Sequence, residues 1–171
     1  LVLNGFIVLT LYPRGQGESI KEWQLESGTK LTYHLEDKDE FYYRGAYMDC
    51  IRGLDFLGSH PEVDPQRLGM WSRSQGGGFT LATASLDSRL KVAVAEEPFL
   101  CNYPVSVDII SSPYCELRDY LAQHPEQRSQ ALETLSYFDC LNLVDRIECP
   151  TLVDIGMKDE TCPYETIIPA F

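Results

Sequence analysis

Ser74 stands where a short apolar run gives way to small residues and then to a helix-like stretch, in the segment RLGMWSRSQGGGFTLATASL at residues 67–86. A nucleophilic serine is held in this way when a strand enters a sharp turn, exposes the hydroxyl and passes at once into a helix. Such a turn requires small residues two positions before and after the serine, and Ser72 and Gly76 meet that requirement. The pattern predicts a nucleophile at Ser74, with a positive φ.

The same turn offers donors to a developing negative charge. A helix that begins directly after Ser74 places backbone N–H groups and the positive end of its dipole beside the serine. The N–H of Gln75 is the first of these donors, which makes it a candidate for the oxyanion hole. Two other interpretations of the segment stay open, namely a Gly/Ser-rich loop without chemistry and a cradle for phosphate.

The composition limits the partners that this chain can have. Its 171 residues, 44% of them hydrophobic, suffice for one domain with a buried core. The 26 acidic and 14 basic residues give a net charge of −12, which disfavours nucleic acid and anionic membrane surfaces as partners. No run approaches the roughly eighteen apolar residues of a membrane span, and no basic and apolar leader opens the chain. The sequence predicts a soluble protein.

The cysteines are scattered, without CxxC spacing or accompanying histidines. There are six of them: Cys50, Cys101, Cys115, Cys140, Cys149 and Cys162. A chain of this size folds without cross-links, so core thiols in a reducing compartment are favoured over a disulfide framework or a zinc site. We therefore expect no metal centre.

Strand patterns and helix patterns alternate along the chain. Four apolar runs predict buried strands, in GFIVLTLYPRGQGES, PEVDPQRLGMW, LKVAVAEEP and CPTLVDIGMKD. Residues 18–38 are expected to form a loop, and DEFYYRGAYMDCIRGLDFLGSH an amphipathic helix. Short helices broken by Pro113 and Pro125 are expected over about residues 104–146. The pattern predicts an α/β fold with a mostly parallel sheet flanked by helices, in a single domain at residues 1–171 with a helical insertion at about 104–146.

Functional groups of a parallel sheet gather at the carboxyl ends of its strands. Three predicted ends carry candidates: residues 14–17, Ser74 and Asp159. A serine followed two strands later by an acid is the order of the α/β-hydrolases, in which the acid orients a histidine. Alone, Asp159 is typical of a solvated aspartate that caps a turn. Together with Ser74 it is a candidate triad acid, expected at the same sheet edge and about 6 to 9 Å from the serine.

Several segments resemble the acetyl xylan esterase and cephalosporin-C deacetylase family, which is carbohydrate esterase family seven. They are RGQGES, YYRGAYMDCIRGLDFL, PEVDPQRLGMWSRSQGGG, EEPFLCNYP and TLSYFDCLNLVDRIECPTLVDIGMKDETCP. The resemblance extends over residues 5–163, and its SQGGG and TLSYFD stretches are the most specific. TLSYFD also argues against other α/β-hydrolases, such as dienelactone-hydrolase-like or peptidase-like enzymes.

The resemblance implies an α/β-hydrolase fold and a cofactor-free serine esterase that deacetylates acetylated xylo-oligosaccharides and cephalosporin C. It assigns Ser74 as nucleophile, Gln75 N–H as an oxyanion donor and Asp159 as triad acid, and it gives residues 14–17 a structural role near the site. It further implies a cytoplasmic homo-oligomer, commonly a hexamer, whose partner is a small acetylated sugar or cephalosporin.

The chain departs from the family pattern in three ways. Ser72 stands where the family has glycine, and Tyr12 and Pro13 stand where it has an aspartate near the strand end. The triad histidine is expected beyond Asp159, whereas all three histidines of this sequence come before it.

His34 falls in the predicted loop, and His60 and His124 each precede a proline at a predicted helix end, where a cationic or capping role is ordinary. We therefore expect a truncated or internally deleted member, incomplete at both ends and weakly active as 171 residues. The alternative is a non-catalytic remnant with a binding or assembly role.

Overall fold

Three parallel strands form the sheet in the computed structural model, which describes residues 1–108 and 112–171. They are β1 (Leu68–Arg73), β2 (Leu90–Glu96) and β3 (Thr151–Asp154), in the spatial order β1-β2-β3. Arg73 pairs with Glu96, which pairs in turn with Asp154. The three carboxyl ends therefore lie side by side, and the segments that follow them meet at one edge.

Two long helices pack against each other, and the second of them packs on the sheet. The first, α1 (Tyr42–Ser59), buries the face predicted from the three- and four-residue spacing, including Tyr43, Tyr47 and Cys50. The second, α2 (Gln75–Leu86), is apolar all round and largely buried, as expected for a helix enclosed between a sheet and other elements. It packs on β1 and β2 and also contacts α1.

The later half of the chain holds short helices, as predicted. The predicted ones are α3 (Tyr103–Ser106), α4 (Cys115–Gln123) and α5 (Arg128–Phe138), while α6 (Tyr164–Ile167) lies beyond the predicted region. Helix α4 begins two residues after Pro113, and a 3₁₀ turn (Pro125–Gln127) separates it from α5. Residues 109–111, within the predicted insertion, lie outside the described residues. The assignment of the chain to one partial domain with an insertion stays a prediction.

Aromatic rings join these layers into one core beneath the sheet edge. Tyr47 packs edge-on against Phe79 of α2, with ring centroids 5.9 Å apart, and its hydroxyl donates to the Phe138 carbonyl over 2.7 Å. Phe41, directly before α1, packs against Phe138 at 5.2 Å. These contacts pack α2 against α1 and α1 against α5, so the turn at the amino end of α2 is held in place by buried side chains.

The prediction of a buried strand at the start of the chain is wrong. A 3₁₀ turn (Val2–Asn4) is followed by residues 6–13 without regular structure, and Phe6 and Ile7 are 59% and 53% exposed. A strand exists only through hydrogen bonds to a neighbour, and the sheet of the described residues contains β1, β2 and β3 alone. Residues 11–13 line a cavity together with Met70 and Ser72 of β1 instead of pairing with that strand.

Within the described ranges, no helix combines the length and the apolar character needed to cross a bilayer.

Candidate active site

Ser74 forms the whole connection between β1 and α2. Its backbone has φ 56° and ψ −121°, so the predicted positive φ is confirmed. Three hydrogen bonds hold it: its N–H donates to Glu96 O over 2.8 Å, and its carbonyl accepts from Phe99 N at 2.9 Å and Gly78 N at 3.0 Å. A non-glycine residue adopts such a backbone only where its surroundings enforce it, and this strain is typical of functional sites.

The glycines after Ser74 are required by close contacts. A Cβ atom on Gly76 would lie 2.0 Å from the Ser72 hydroxyl oxygen, and one on Gly78 would lie 2.3 Å from the Phe99 carbonyl oxygen. Ser72 is therefore small enough for the turn, as predicted, because residue 76 has no side chain. The close packing of β1, α2 and the segment after β2 accounts for the SQGGG sequence.

Gln75 is the first residue of α2. Its N–H has no acceptor within the helix, as holds for the first turn of any helix. The side-chain amide is held elsewhere, because Nε2 donates to the Tyr43 hydroxyl over 2.8 Å. Burial raises the pKa of Tyr43 well above its usual range, so this phenol stays protonated. The geometry leaves the Gln75 N–H available as an oxyanion donor.

Ser74 and Gln75 line a cavity of about 350 Å³. Its walls include the apolar side chains of Leu11, Met70 and Phe79. The polar side chains of Gln16, Ser72 and Arg73 are also in the wall. A volume of this order is typical of small-molecule sites, and a wall that mixes apolar and polar groups suits a small polar ligand that carries an acyl group.

The segment at residues 14–17 is anchored to α1 beside this cavity. Arg14 makes a bidentate ion pair with Asp49, with Nε–Oδ2 and Nη2–Oδ1 distances of 2.9 and 2.8 Å. The hydrogen bonds that the Arg14 guanidinium donates to Asp49 raise the pKa of this guanidinium. Gln16 Nε2 donates to the Tyr42 hydroxyl, which donates to the Arg14 carbonyl over 2.9 Å. These contacts are structural, and they place Gln16 in the cavity wall.

Asp159 lies in the loop after β3, and Cys162 of the same loop contacts both Asp159 and Ser74. Its Oδ1 accepts from the N–H of Thr161 at 2.7 Å and from the N–H of Cys162 at 3.0 Å. The Cys162 thiol sulfur lies 3.8 Å from the Ser74 hydroxyl oxygen. Ser74 and Asp159 are therefore at the same sheet edge, as predicted. The turn-capping contacts expected of a loop aspartate are present as well, and the predicted separation from Ser74 stays a prediction.

Cys162 is buried, and burial raises the pKa of its thiol to about 11. The group in contact with Ser74 is therefore a neutral thiol at neutral pH. It is neither a base for the serine nor a competing thiolate nucleophile.

The structure brings none of the three histidines to Ser74. His34 Nδ1 lies 3.2 Å from Glu36 Oε1, and His124 Nδ1 lies 3.7 Å from Glu126 Oε1. His60 caps the end of α1 and accepts the Glu62 N–H at 3.3 Å, while His124 caps the end of α4. His60 and His124 thus lie at helix ends, as predicted.

Two features of the site have no counterpart among the predicted residues. One is Cys162, for which no sequence motif gives a signal. The other is an ion pair between Arg73 and Glu97, with Nε–Oε2 at 2.6 Å. Glu97 directly follows β2 and has φ 43°. The strand-end rule that selected Asp159 could have selected Glu97 too.

All six cysteines are free, and four are buried core thiols as predicted: Cys50, Cys101, Cys140 and Cys162. Over residues 1–108 and 112–171, no group of three or more His, Cys, Asp or Glu side chains is arranged to hold a metal ion.

The acetyl xylan esterase family model matches residues 1–171 of this chain. Acetyl esterase Axe7A of Xylanibacter ruminicola is 32% identical over 172 aligned residues, which cover 95% of this chain and 38% of that protein. The match includes the strand, turn and helix around Ser74 as well as the loop with Asp159.

Two solved structures are similar over most of the chain. The acetyl xylan esterase from Paenibacillus sp. R4 has a TM-score of 0.84 and 40% identity, covering 92% of this chain and 52% of that one. Acetyl xylan esterase 1 from Thermoanaerobacterium sp. JW/SL YS485 has a TM-score of 0.82 and 31% identity, covering 92% and 53%. The chain thus spans about half the length of these structures. Their α/β-hydrolase fold and the parallel sheet flanked by helices confirm the predicted fold class.

Proposed function

The chain belongs to the acetyl xylan esterase family, and on this premise we propose that its protein is a serine carboxylic ester hydrolase that removes acetyl groups from acetylated xylo-oligosaccharides. The observation that carries the proposal is the backbone of Ser74, a serine at φ 56° between β1 and α2. Ser74 lines a cavity of about 350 Å³. Hydrolases use this arrangement to present a nucleophile.

In the proposed reaction the Ser74 oxygen attacks the acetyl carbonyl carbon, and a base takes the hydroxyl proton. The carbonyl oxygen becomes an oxyanion that accepts a hydrogen bond from the Gln75 N–H. When the tetrahedral intermediate collapses, the sugar oxygen leaves with the proton and the acetyl group stays on Ser74. Water then attacks this acetyl-enzyme by the same steps, which releases acetate and restores the serine.

Asp159 is proposed to orient the base and to stabilise its protonated form. The base is a histidine from outside the 171 residues, because His34, His60 and His124 have other surroundings. Removing a triad histidine costs on the order of a million-fold in turnover. The 171 residues alone are therefore expected to hydrolyse esters barely above background.

Cephalosporin C is proposed as a second substrate, since its acetyl ester presents the same small acyl group to the cavity. Six free thiols and a net charge of −12 support a cytoplasmic location without a nucleic-acid partner. Assembly into a homo-oligomer is proposed from the family resemblance.

The test compares the protein expressed from its full natural reading frame with its Ser74→Ala and Ser88→Ala variants. Ser88 is an exposed serine just beyond α2, so its substitution is a matched control. Acetate release from acetylated xylo-oligosaccharides is expected from the wild type and Ser88→Ala, and is expected to fall at least a thousand-fold in Ser74→Ala. Equal activity of all three proteins would refute the assignment of Ser74.

One observation favours a non-catalytic role as the second candidate. Among the described residues, the side-chain hydrogen-bond partner of the Ser74 hydroxyl is the neutral thiol of Cys162 rather than a base. A natural-frame protein that is folded, by far-UV circular dichroism and size-exclusion chromatography, yet releases no acetate would support this candidate.

A further inference from the structure

We propose that Arg73 is a positioning residue of this site: by binding Glu97 it cancels the charge of a carboxylate that would otherwise repel the Asp159 carboxylate. Its effect on catalysis rests on the proposed function, whereas its effect on the ionisation of Asp159 does not. Neither Arg73 nor Glu97 belongs to the triad or the oxyanion hole.

Arg73 and Glu97 connect the ends of β1 and β2 at the base of the nucleophile turn. Arg73 Nε donates to Glu97 Oε2 over 2.6 Å, and Nη2 contacts the same oxygen. The Arg73 side chain is 68% exposed, but the Glu97 side chain is only 20% exposed. The carboxylate is therefore mostly withdrawn from water, and the guanidinium beside it supplies the compensating charge.

Glu97 also faces the loop that carries Asp159. A Cβ atom on Gly156 would lie 3.1 Å from Glu97 Oε1 and 3.2 Å from the Asp159 Cβ atom. The Glu97 carboxylate and the Cβ atom of Asp159 thus lie beside the same glycine. Glu97 has φ 43°, a backbone conformation that a non-glycine residue adopts only where its surroundings enforce it.

Three segments of the chain place a titratable side chain near Asp159. Arg73 faces it from the end of β1, Glu97 from the segment after β2, and the neutral thiol of Cys162 from its own loop. Glu160 and Lys158 are its chain neighbours. Without Arg73, the Glu97 carboxylate would lie near the Asp159 side chain with no compensating charge, and a like charge nearby disfavours the ionised form of a carboxyl group.

The proposed test measures the ionisation of Asp159 directly, by carboxyl ¹³C NMR of the chain labelled at aspartate. The Asp159 resonance is assigned by its loss in Asp159→Asn. At low ionic strength, Arg73→Gln is expected to raise the pKa of Asp159 by about half a pH unit, the size that a solvent-screened charge pair allows. Glu97→Gln is expected to lower it, and the double variant is expected to return close to the wild-type value.

Arg52→Gln is the matched control, because Arg52 forms an exposed ion pair with Asp55 on α1, away from the site. It is expected to leave the pKa of Asp159 unchanged. The shift in Arg73→Gln is expected to shrink in high salt, because solvent ions screen the partly exposed Asp159 side chain. An unchanged or lowered pKa of Asp159 in folded Arg73→Gln would overturn the proposal, as would a double variant that resembles Arg73→Gln.

In the natural-frame protein, Arg73→Gln is expected to lower kcat severalfold, and Glu97→Gln is expected to restore kcat in the double variant. A structural ion pair would instead give two single variants of equal effect and a double variant no better than either. If the wild-type protein releases no acetate, the proposed function fails, while the NMR titration still decides the role of Arg73.

Discussion

The hydroxyl oxygen of Ser74 lies 3.8 Å from the thiol sulfur of Cys162, and the N–H of Cys162 donates to the Asp159 carboxylate over 3.0 Å. One buried residue thus contacts both the candidate nucleophile and the candidate acid. Cys162 and the residues at the end of β2 hold the turn after β1 and the loop after β3 together.

The thiol of Cys162 is expected to resist alkylation in the folded chain. Its pKa is raised to about 11 by burial, so the reactive thiolate is scarce until the pH approaches that value. Iodoacetamide at about pH 8 is expected to modify the partly exposed Cys115 and Cys149 first. Peptide mass spectrometry measures the order of labelling, and rapid labelling of Cys162 in folded protein would contradict its buried position.

Gly76→Ala is expected to destabilise the chain by about 1–3 kcal/mol, because its methyl group overlaps the Ser72 side chain. Equilibrium unfolding in urea measures the loss. The decisive comparison is the double variant Ser72→Gly/Gly76→Ala, which removes the overlapping hydroxyl and is expected to recover most of the lost stability. A double variant as unstable as Gly76→Ala would show that the methyl group is excluded for another reason.

Asp139 ends the TLSYFD stretch as a buried carboxylate that accepts three backbone N–H groups. The donors are Asn102 at 2.7 Å, Tyr103 at 2.8 Å and Leu141 at 2.9 Å. Asp139→Ala removes every acceptor and is expected to cost about 3 kcal/mol in the free energy of unfolding. Asp139→Asn keeps one acceptor oxygen and is expected to cost less. Urea unfolding of both variants tests this, and equal stability of Asp139→Ala and wild type would contradict it.

The parts of the fold that could be predicted are those with local causes. The spacing of Tyr43, Tyr47 and Cys50 reflects one buried face of α1, and the small residues around Ser74 reflect close backbone packing. Both signals are contained in a few neighbouring positions of the chain, so no knowledge of distant contacts is needed to interpret them.

The parts that could not be predicted depend on partners far apart in sequence. The apolar run at residues 5–12 has strand composition, but a strand also needs a neighbour, and composition does not specify one. The contact of Ser74 with Cys162 joins positions separated by 88 residues, and the contact of Arg73 with Glu97 joins positions separated by 24. No spacing rule relates such residues before the sheet order is known.

The most direct test of the central claim is to trap the acetyl-enzyme. The protein from the full natural reading frame is mixed with p-nitrophenyl acetate, quenched in acid and digested, and the acetylated peptide is identified by mass spectrometry. We predict a burst of p-nitrophenol and a single acetyl group on Ser74. In Ser74→Ala, both the burst and the acetylated peptide are predicted to be absent. Sustained hydrolysis without acetylation of Ser74, or hydrolysis unchanged in Ser74→Ala, would contradict the account.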